Sequence, residues 1–335
     1  MDRSEAASPL VTLAQIRAAA ERLQGIAIRT PLVPFGTSEE RRFLKAESLQ
    51  PTGAFKIRGA YVAVASLTHD ELRRGVITYS SGNHAQGVAR AARILGAPAV
   101  VVMPSDAPAI KRERVALDGA EIVIVGTGSD ERQQVAQEIA AARGLAIIPP
   151  FDDDRIIAGQ GTIGLELVED LPDLAVVLTP VGGGGLASGV ATAVRALRPD
   201  ARVIGVESEL AADARDSMVR GKIVVWPAEL VARTIADGTR TRALGVRTFA
   251  HLRANLDSIV TVTETEIAAA VRLAAERSRL VVEPSGALSI AALAFHAREL
   301  GLDRLDGSVV AIVSGGNIDP ERYREFLTAE VPPEG

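Results

Sequence analysis

Apolar residues along this chain keep two rhythms, and the two alternate. One is the spacing of a helix face. Behind Thr12, a candidate cap, Leu13, Ile16, Ala20 and Leu23 fall three or four apart, which predicts a helix through Arg22. The other is the short unbroken apolar run. Ala99-Val100-Val101-Val102-Met103 and Val309-Val310-Ala311-Ile312-Val313 read as strands covered on both faces. A loop rich in Pro31 and Pro34 precedes a strand at Phe43–Ala46 and a helix at Phe55–Leu67. The strand Val76–Tyr79 leads into a helix from Asn83 to Leu95. Helices at Ala109–Asp118 and Asp130–Arg143 alternate with strands at Glu121–Val125 and Ala146–Ile148. A second series begins near Pro150: helix Gly159–Asp170, strand Ala175–Leu178, a helix opened by glycines and running to Leu197, and strand Arg202–Val206. Helices at Thr265–Ser278 and Ser285–Leu300 follow. Such alternation with short connections predicts an α/β fold.

Composition narrows the function classes. A chain of 335 residues suggests about two domains. With 47% hydrophobic and 24% charged residues it is expected to be globular. A net charge of −5 offers no broad basic field, so no nucleic-acid partner is expected. There is no cysteine, which removes disulfides, thiolate metal sites and a cysteine nucleophile. The first ten residues lack the apolar stretch of a signal peptide, and no apolar run approaches the roughly 20 residues of a membrane span. The expected location is the cytoplasm.

Candidate chemistry sits in one lysine and three loops. Lys56 lies between Phe55 and Ile57, with Gly53 and Gly59 on either side. Apolar neighbours can desolvate a lysine and leave a free amine able to form a Schiff base. Alternatively, its stem packs on an apolar surface while its head reaches water. Gly182-Gly183-Gly184-Gly185 follows a strand and opens a helix. Without β-carbons, several amides can point at one anion beside a helix N-terminus, which describes a phosphate cradle. It has neither the lysine and hydroxyl of a nucleotide P-loop nor the spacing of a dinucleotide fingerprint. A plain strand-to-helix turn would need one glycine. Ser80-Ser81-Gly82-Asn83-His84 also joins a strand to a helix and can hold a carboxylate, or can simply cap the helix. Ser314-Gly315-Gly316-Asn317 closes the last buried strand, where a serine can meet a ring nitrogen or a turn can simply form.

Taken together, these motifs resemble the fold-type II pyridoxal phosphate enzymes of the threonine/serine dehydratase and serine racemase family. The resemblance rests on Thr52 to Ala60, Ser80 to Gly87, Gly182 to Gly185, Thr234 to Gly238, Glu283 to Gly286 and Ser314 to Asn317, in family order over nearly the whole chain. It implies a tryptophan synthase β-like fold, with two open twisted α/β domains and the cofactor between them. Residues 1–74 with 151–335 would form the large domain and 75–150 the small inserted one. Lys56 would hold pyridoxal 5'-phosphate as a Schiff base, and Phe55 would pack beside it. Asn83 would meet its 3-hydroxyl, Gly182, Gly183, Gly184 and Gly185 its phosphate, and Ser314 its pyridine nitrogen. Ser80, Ser81, Gly82, Asn83 and His84 would grip the substrate carboxylate.

The implied activity is β-elimination of water from a β-hydroxy amino acid of the threonine/serine type, giving a 2-oxo acid and ammonia. Ser81, on the cofactor face opposite Lys56, tilts the resemblance towards the serine racemase and 3-hydroxyaspartate ammonia-lyase branch. Racemase-like members bind Mg²⁺ or Ca²⁺ through a glutamate, a backbone carbonyl and an aspartate. Here those would be Glu207, Ala211 and Asp213. A homodimer or homotetramer is expected. Pro51 stands where nucleotide-responsive racemases carry lysine, so ATP activation is not expected. The chain ends without room for a C-terminal regulatory domain, so isoleucine feedback is not expected either. Arg240 and Arg242 read as solvated loop charges, with a second substrate carboxylate as the alternative. Two rival classes remain: a β-replacement synthase, and a small-molecule binding protein with no need of Lys56.

Overall fold

The computed structural model describes residues 8–36, 40–80, 82–107 and 109–333. It opens with α1 (Leu13–Arg22), β1 (Leu32–Pro34), β2 (Arg42–Ala46), α2 (Lys56–Ala65) and α3 (His69–Arg74). Then come β3 (Val76–Tyr79), α4 (Asn83–Leu95), β4 (Ala99–Pro104), α5 (Ala109–Leu117), β5 (Glu121–Val125), α6 (Ser129–Arg143) and β6 (Ala146–Ile147). The chain continues with α7 (Asp154–Asp170), β7 (Leu174–Pro180), α8 (Gly185–Leu197), β8 (Arg202–Ser208), α9 (Asp213–Arg220), α10 (Ala228–Val231) and α11 (Val246–Asn255). It closes with β9 (Ser258–Val262), α12 (Glu264–Ser278), α13 (Pro284–Phe295), β10 (Ser308–Val313) and α14 (Pro320–Leu327).

The strands form two sheets. One runs β1-β2-β10-β7-β8-β9 and is parallel except for β1; the other runs β5-β4-β3-β6 and is parallel throughout. Period-two alternation sends β4 side chains both ways. Val101 and Met103 pack with Ala85 and Ala89 of α4, while Val100 and Val102 pack with Ala136 and Ala140 of α6. The larger sheet is likewise covered twice. Val176, Leu178 and Ile204 meet α12 and α13, while Val177, Val203 and Ile312 meet α7 and α8.

Three elements depart from the sequence reading. The proline-rich loop contains an edge strand, with Leu32 opposite Lys45; Pro34, which has no N–H to donate, is tolerated at an edge. The helix expected from Gly159 starts at Asp154, because Asp153 caps it by accepting from the Arg155 amide at 2.8 Å. The helix expected to reach Leu300 stops at Phe295, and the Leu302 amide turns back to the Ala297 carbonyl at 2.8 Å.

Candidate active site

Parallel strands direct their carboxyl ends to one side, and the loops after β3, β7 and β10 meet there. They enclose a cavity of about 540 Å³. Lys56 stands in its wall at the start of α2. Two backbone bonds zip its loop to the one after β10: Phe55 N to Ser314 O at 3.1 Å, and Gly316 N to Gly53 O at 2.9 Å. The Lys56 amine donates to the Pro150 carbonyl at 2.8 Å and lies 5.1 Å from the Phe55 ring centroid. No carboxylate compensates, so burial lowers its pKa to about 8.

The glycine run opens α8 with no side-chain cap, and Gly184 has φ +90°. A β-carbon on Gly183 would collide with the Phe151 ring; one on Gly185 would lie 3.1 Å from Phe151, and one on Gly182 3.1 Å from the Thr239 Cα. Thr248 Oγ1 fastens the loop by donating to the Gly183 carbonyl at 2.8 Å. A loop that cannot carry side chains, at the positive end of a thirteen-residue helix, fits a phosphate.

The other expected site residues are distributed as follows. Ser314 is buried at the end of β10, where its hydroxyl donates to the Ser285 carbonyl at 3.3 Å. Asn83 lines the cavity; its amide donates to Glu283 Oε1 at 2.5 Å and its oxygen accepts from Asn317 at 2.8 Å. Ser80 Oγ accepts from the Gly82 amide at 3.3 Å. Ser81 lies outside the described residues. His84 reaches the cavity wall, but its Nε2 donates to the Ile148 carbonyl at 3.1 Å. Burial first, then the nearby Lys56, pushes its pKa down to about 3, so the ring is neutral and its Nδ1 has no partner. Thus the His84 side chain is engaged by backbone.

The proposed cation ligands are absent from the cavity wall. Glu207, at the end of β8, is fully buried and accepts from the amides of Ala214 (3.0 Å) and Arg215 (2.8 Å) at the start of α9. Asp213 is 1% exposed, and among the described residues neither of its carboxylate oxygens has a hydrogen-bond partner from another residue. Desolvation raises both acids, Glu207 well above the usual range and Asp213 to about 8, and their proximity adds to the rise at Glu207. The Ala211 segment between them is buried. Among the described residues no cluster of three or more histidine, cysteine or acidic side chains could hold a metal. Orphaned oxygens and an all-oxygen donor set suit a hard cation.

The sequence reading missed a charged group at the mouth. Lys111 of α5 is 4% exposed and pairs with Asp237 at 2.6 Å and with Glu283 at 3.7 Å. Its signal was faint: Lys111 and Val115, four apart, share the inner face of α5. Arg132 was missed too. It lines this cavity and an adjoining one of about 700 Å³, donates to the Thr127 carbonyl at 2.9 Å, and has no ion pair within 4 Å among the described residues. By contrast, Arg240 is bound to the Thr234 carbonyl, and Arg242 to the Trp226 carbonyl and Asp130. Beneath α2, a further missed group anchors the lysine helix. Arg58, 2% exposed, is gripped by Glu47 at 2.9 Å and Glu166 at 2.7 Å, with Lys45 on Glu166 at 2.6 Å.

Comparison with known proteins identifies the family. The family model for pyridoxal-phosphate dependent enzymes (PALP) matches residues 23–315. L-threonine ammonia-lyase of Geobacter sulfurreducens is 44% identical over 91% of this chain and 75% of its own. L-threo-3-hydroxyaspartate ammonia-lyase of Saccharomyces cerevisiae is 39% identical over 95% of this chain and 97% of its own. The structure of maize serine racemase superposes with a TM-score of 0.89 at 35% identity, covering 95% of this chain and 97% of that one.

Proposed function

The chain belongs to the pyridoxal-phosphate dependent (PALP) enzyme family, and on that premise we propose that it is an ammonia-lyase. It would remove water from a β-hydroxy amino acid of the threonine/serine type and release a 2-oxo acid and ammonia. One observation carries this: the Lys56 amine, lowered by burial to about 8, faces the same cavity as the glycine cradle. Lys56 would anchor the cofactor aldehyde, Gly182 to Gly185 its phosphate, Asn83 its 3-hydroxyl and Ser314 its ring nitrogen, with Phe55 packed beside it. When bound, pyridoxal phosphate supplies the electron sink that acidifies the substrate α-carbon. Ser80 and the amides at the start of α4 would hold the substrate carboxylate. Lys56, released by the substrate amine, would take the α-proton as a general base. Ser314 would meet the ring nitrogen with a neutral hydroxyl and so would supply no fixed negative charge there. Racemisation would need a proton donor opposite Lys56, and Ser81 is the sequence's candidate.

A second substrate reading rests on Arg132. A guanidinium in the cavity wall with no ion pair within 4 Å among the described residues, although Asp106, Asp130 and Glu131 lie near enough to act on its charge, suits a second substrate carboxylate, as in 3-hydroxyaspartate. We also propose a Mg²⁺ or Ca²⁺ ion between Glu207, Asp213 and the Ala211 carbonyl. Two domains (1–74 with 151–335, and 75–150), a homodimer or homotetramer, and a cytoplasmic location complete the proposal.

The test joins spectrum to turnover. Purified protein should show an absorbance band near the visible edge that borohydride abolishes, and Lys56→Ala should lack both band and turnover. Release of 2-oxo acid from serine, threonine and both 3-hydroxyaspartate diastereomers then ranks the substrates. Full activity in Lys56→Ala sinks the proposal; preference for 3-hydroxyaspartate selects the Arg132 reading.

A further inference from the structure

We propose that Lys111 is a positioning residue that works through Glu283 to hold the Asn83 side chain in register for the cofactor. The inference rests on the reading that Asn83 faces the cofactor. Lys111 comes from α5, beside the four-stranded sheet, whereas Asp237 and Glu283 come from loops of the larger sheet. The lysine therefore ties the two halves together across the mouth of the cavity, at 2.6 Å to Asp237 and 3.7 Å to Glu283 Oε2. Its stem lies against the loop that leads to Asn83: a β-carbon on Gly82 would be 2.9 Å from Lys111 Cδ and 3.2 Å from its Nζ. Glu283, 1% exposed, is the next link, because its other oxygen accepts from the Asn83 amide at 2.5 Å.

Both neighbours of Glu283 act on its charge. Burial raises its pKa to about 7, Lys111 favours ionisation and Asp237 opposes it, so the charged form that the relay uses prevails above about pH 7. Without Lys111, a buried carboxylate beside Asp237 would have no compensating cation and would take up a proton. Its bond to Asn83 would then lose its charge assistance and lengthen. Asn83 would be left to Asn317, whose own oxygen is engaged by Arg114. The lysine is thus proposed to act at the cofactor without touching it.

The holoenzyme tests this by spectrum and kinetics together. Lys111→Met should move the visible-edge band and lower kcat more than it raises KM, and Lys111→Arg should restore both. Glu283→Gln should reproduce the Met phenotype. In the double variant the loss in kcat/KM, about tenfold for each single change, should not multiply, because both changes cut one link. A wild-type band in Lys111→Met, or losses that multiply, would overturn the relay. Asn83→Ala separates the two possible failures. If its band does not move, the cofactor role of Asn83 is wrong; if it moves while that of Lys111→Met does not, only the relay is wrong. Should Lys111→Met not fold, the band of Glu283→Gln decides by itself, a wild-type position overturning the relay.

Discussion

A single amine shows how local sequence and distant packing share the work. The setting of Lys56 was legible because its apolar flanks and glycines are adjacent in the chain. What lowers its pKa was not, since the burial comes from folding against Pro150 and the β10 loop. The consequence is measurable. Between about 8 and the ordinary lysine value of 10.5, the folded chain binds fewer protons than the unfolded one at this site. The buried ammonium therefore costs stability below pH 8, and that cost fades as pH rises through the window. Reactivity follows the same titration. In cofactor-free protein, competitive acylation of Lys56 should rise with pH and level off near 8, as read by mass spectrometry of digests, with exposed Lys222 as a reference. An inflection above 10 would mean a solvated amine. Arg58 is the contrasting case. Its motif was quoted from the sequence, but its partner Glu166 is 108 positions away, and no spacing rule connects them.

Elements were legible where pattern and period coincide. The bounds of α4 and the buried run of β10 follow from continuous apolar or amphipathic stretches. Short or polar elements such as α3, α9 and α14 escaped, because few of their residues are buried and propensity alone does not settle them. Gly159, inside α7, was misread as a boundary for a physical reason: Gly usually weakens a helix, but here it permits close crossing. A β-carbon on Gly159 would lie 2.6 Å from the Gly59 Cα where α7 crosses α2, and Gly161 sits against Gly189 where α7 crosses α8. The crossing makes a prediction. In isolation, Gly189→Ala would favour helix α8 by roughly 1 kcal/mol. In the protein its β-carbon would strike the Ile157 carbonyl and stand 2.5 Å from the Gly161 amide, both backbone and unable to give way cheaply. Overpacking of about 1–3 kcal/mol should outweigh the propensity gain. The melting temperature should therefore fall, and a rise would show that the two helices can part without cost.

At the scale of the molecule, the site exists because two parallel sheets bring their strand ends to one cavity, and that convergence is what the sequence could only imply through resemblance. The motifs named the loops after β3, β7 and β10, yet the charges that bridge them, Lys111, Asp237 and Glu283, come from three separate segments. The same gap separates Glu207 from Asp213, six residues apart in the chain, whose burial no local pattern shows. Folding buries both, satisfies Glu207 with two helix amides and, among the described residues, leaves the Asp213 oxygens with no donor from another residue. With its pKa raised to about 8, Asp213 is ionised only above that pH, and keeping this carboxyl buried costs stability that a cation bound only by the folded state would relieve. At a free concentration one hundred times its Kd, such an ion adds about 2.7 kcal/mol to the whole fold. Chelator-treated protein should therefore melt a few degrees lower than protein given millimolar Mg²⁺ or Ca²⁺. Asp213→Asn should lose the response, because a neutral amide needs no cation, and above about pH 8, where the wild-type acid ionises, it should melt higher than wild type in chelator. If wild-type melting is indifferent to chelator and cation alike, Asp213 is a strained structural acid and the cation proposal fails, with the assignment of Lys56 untouched.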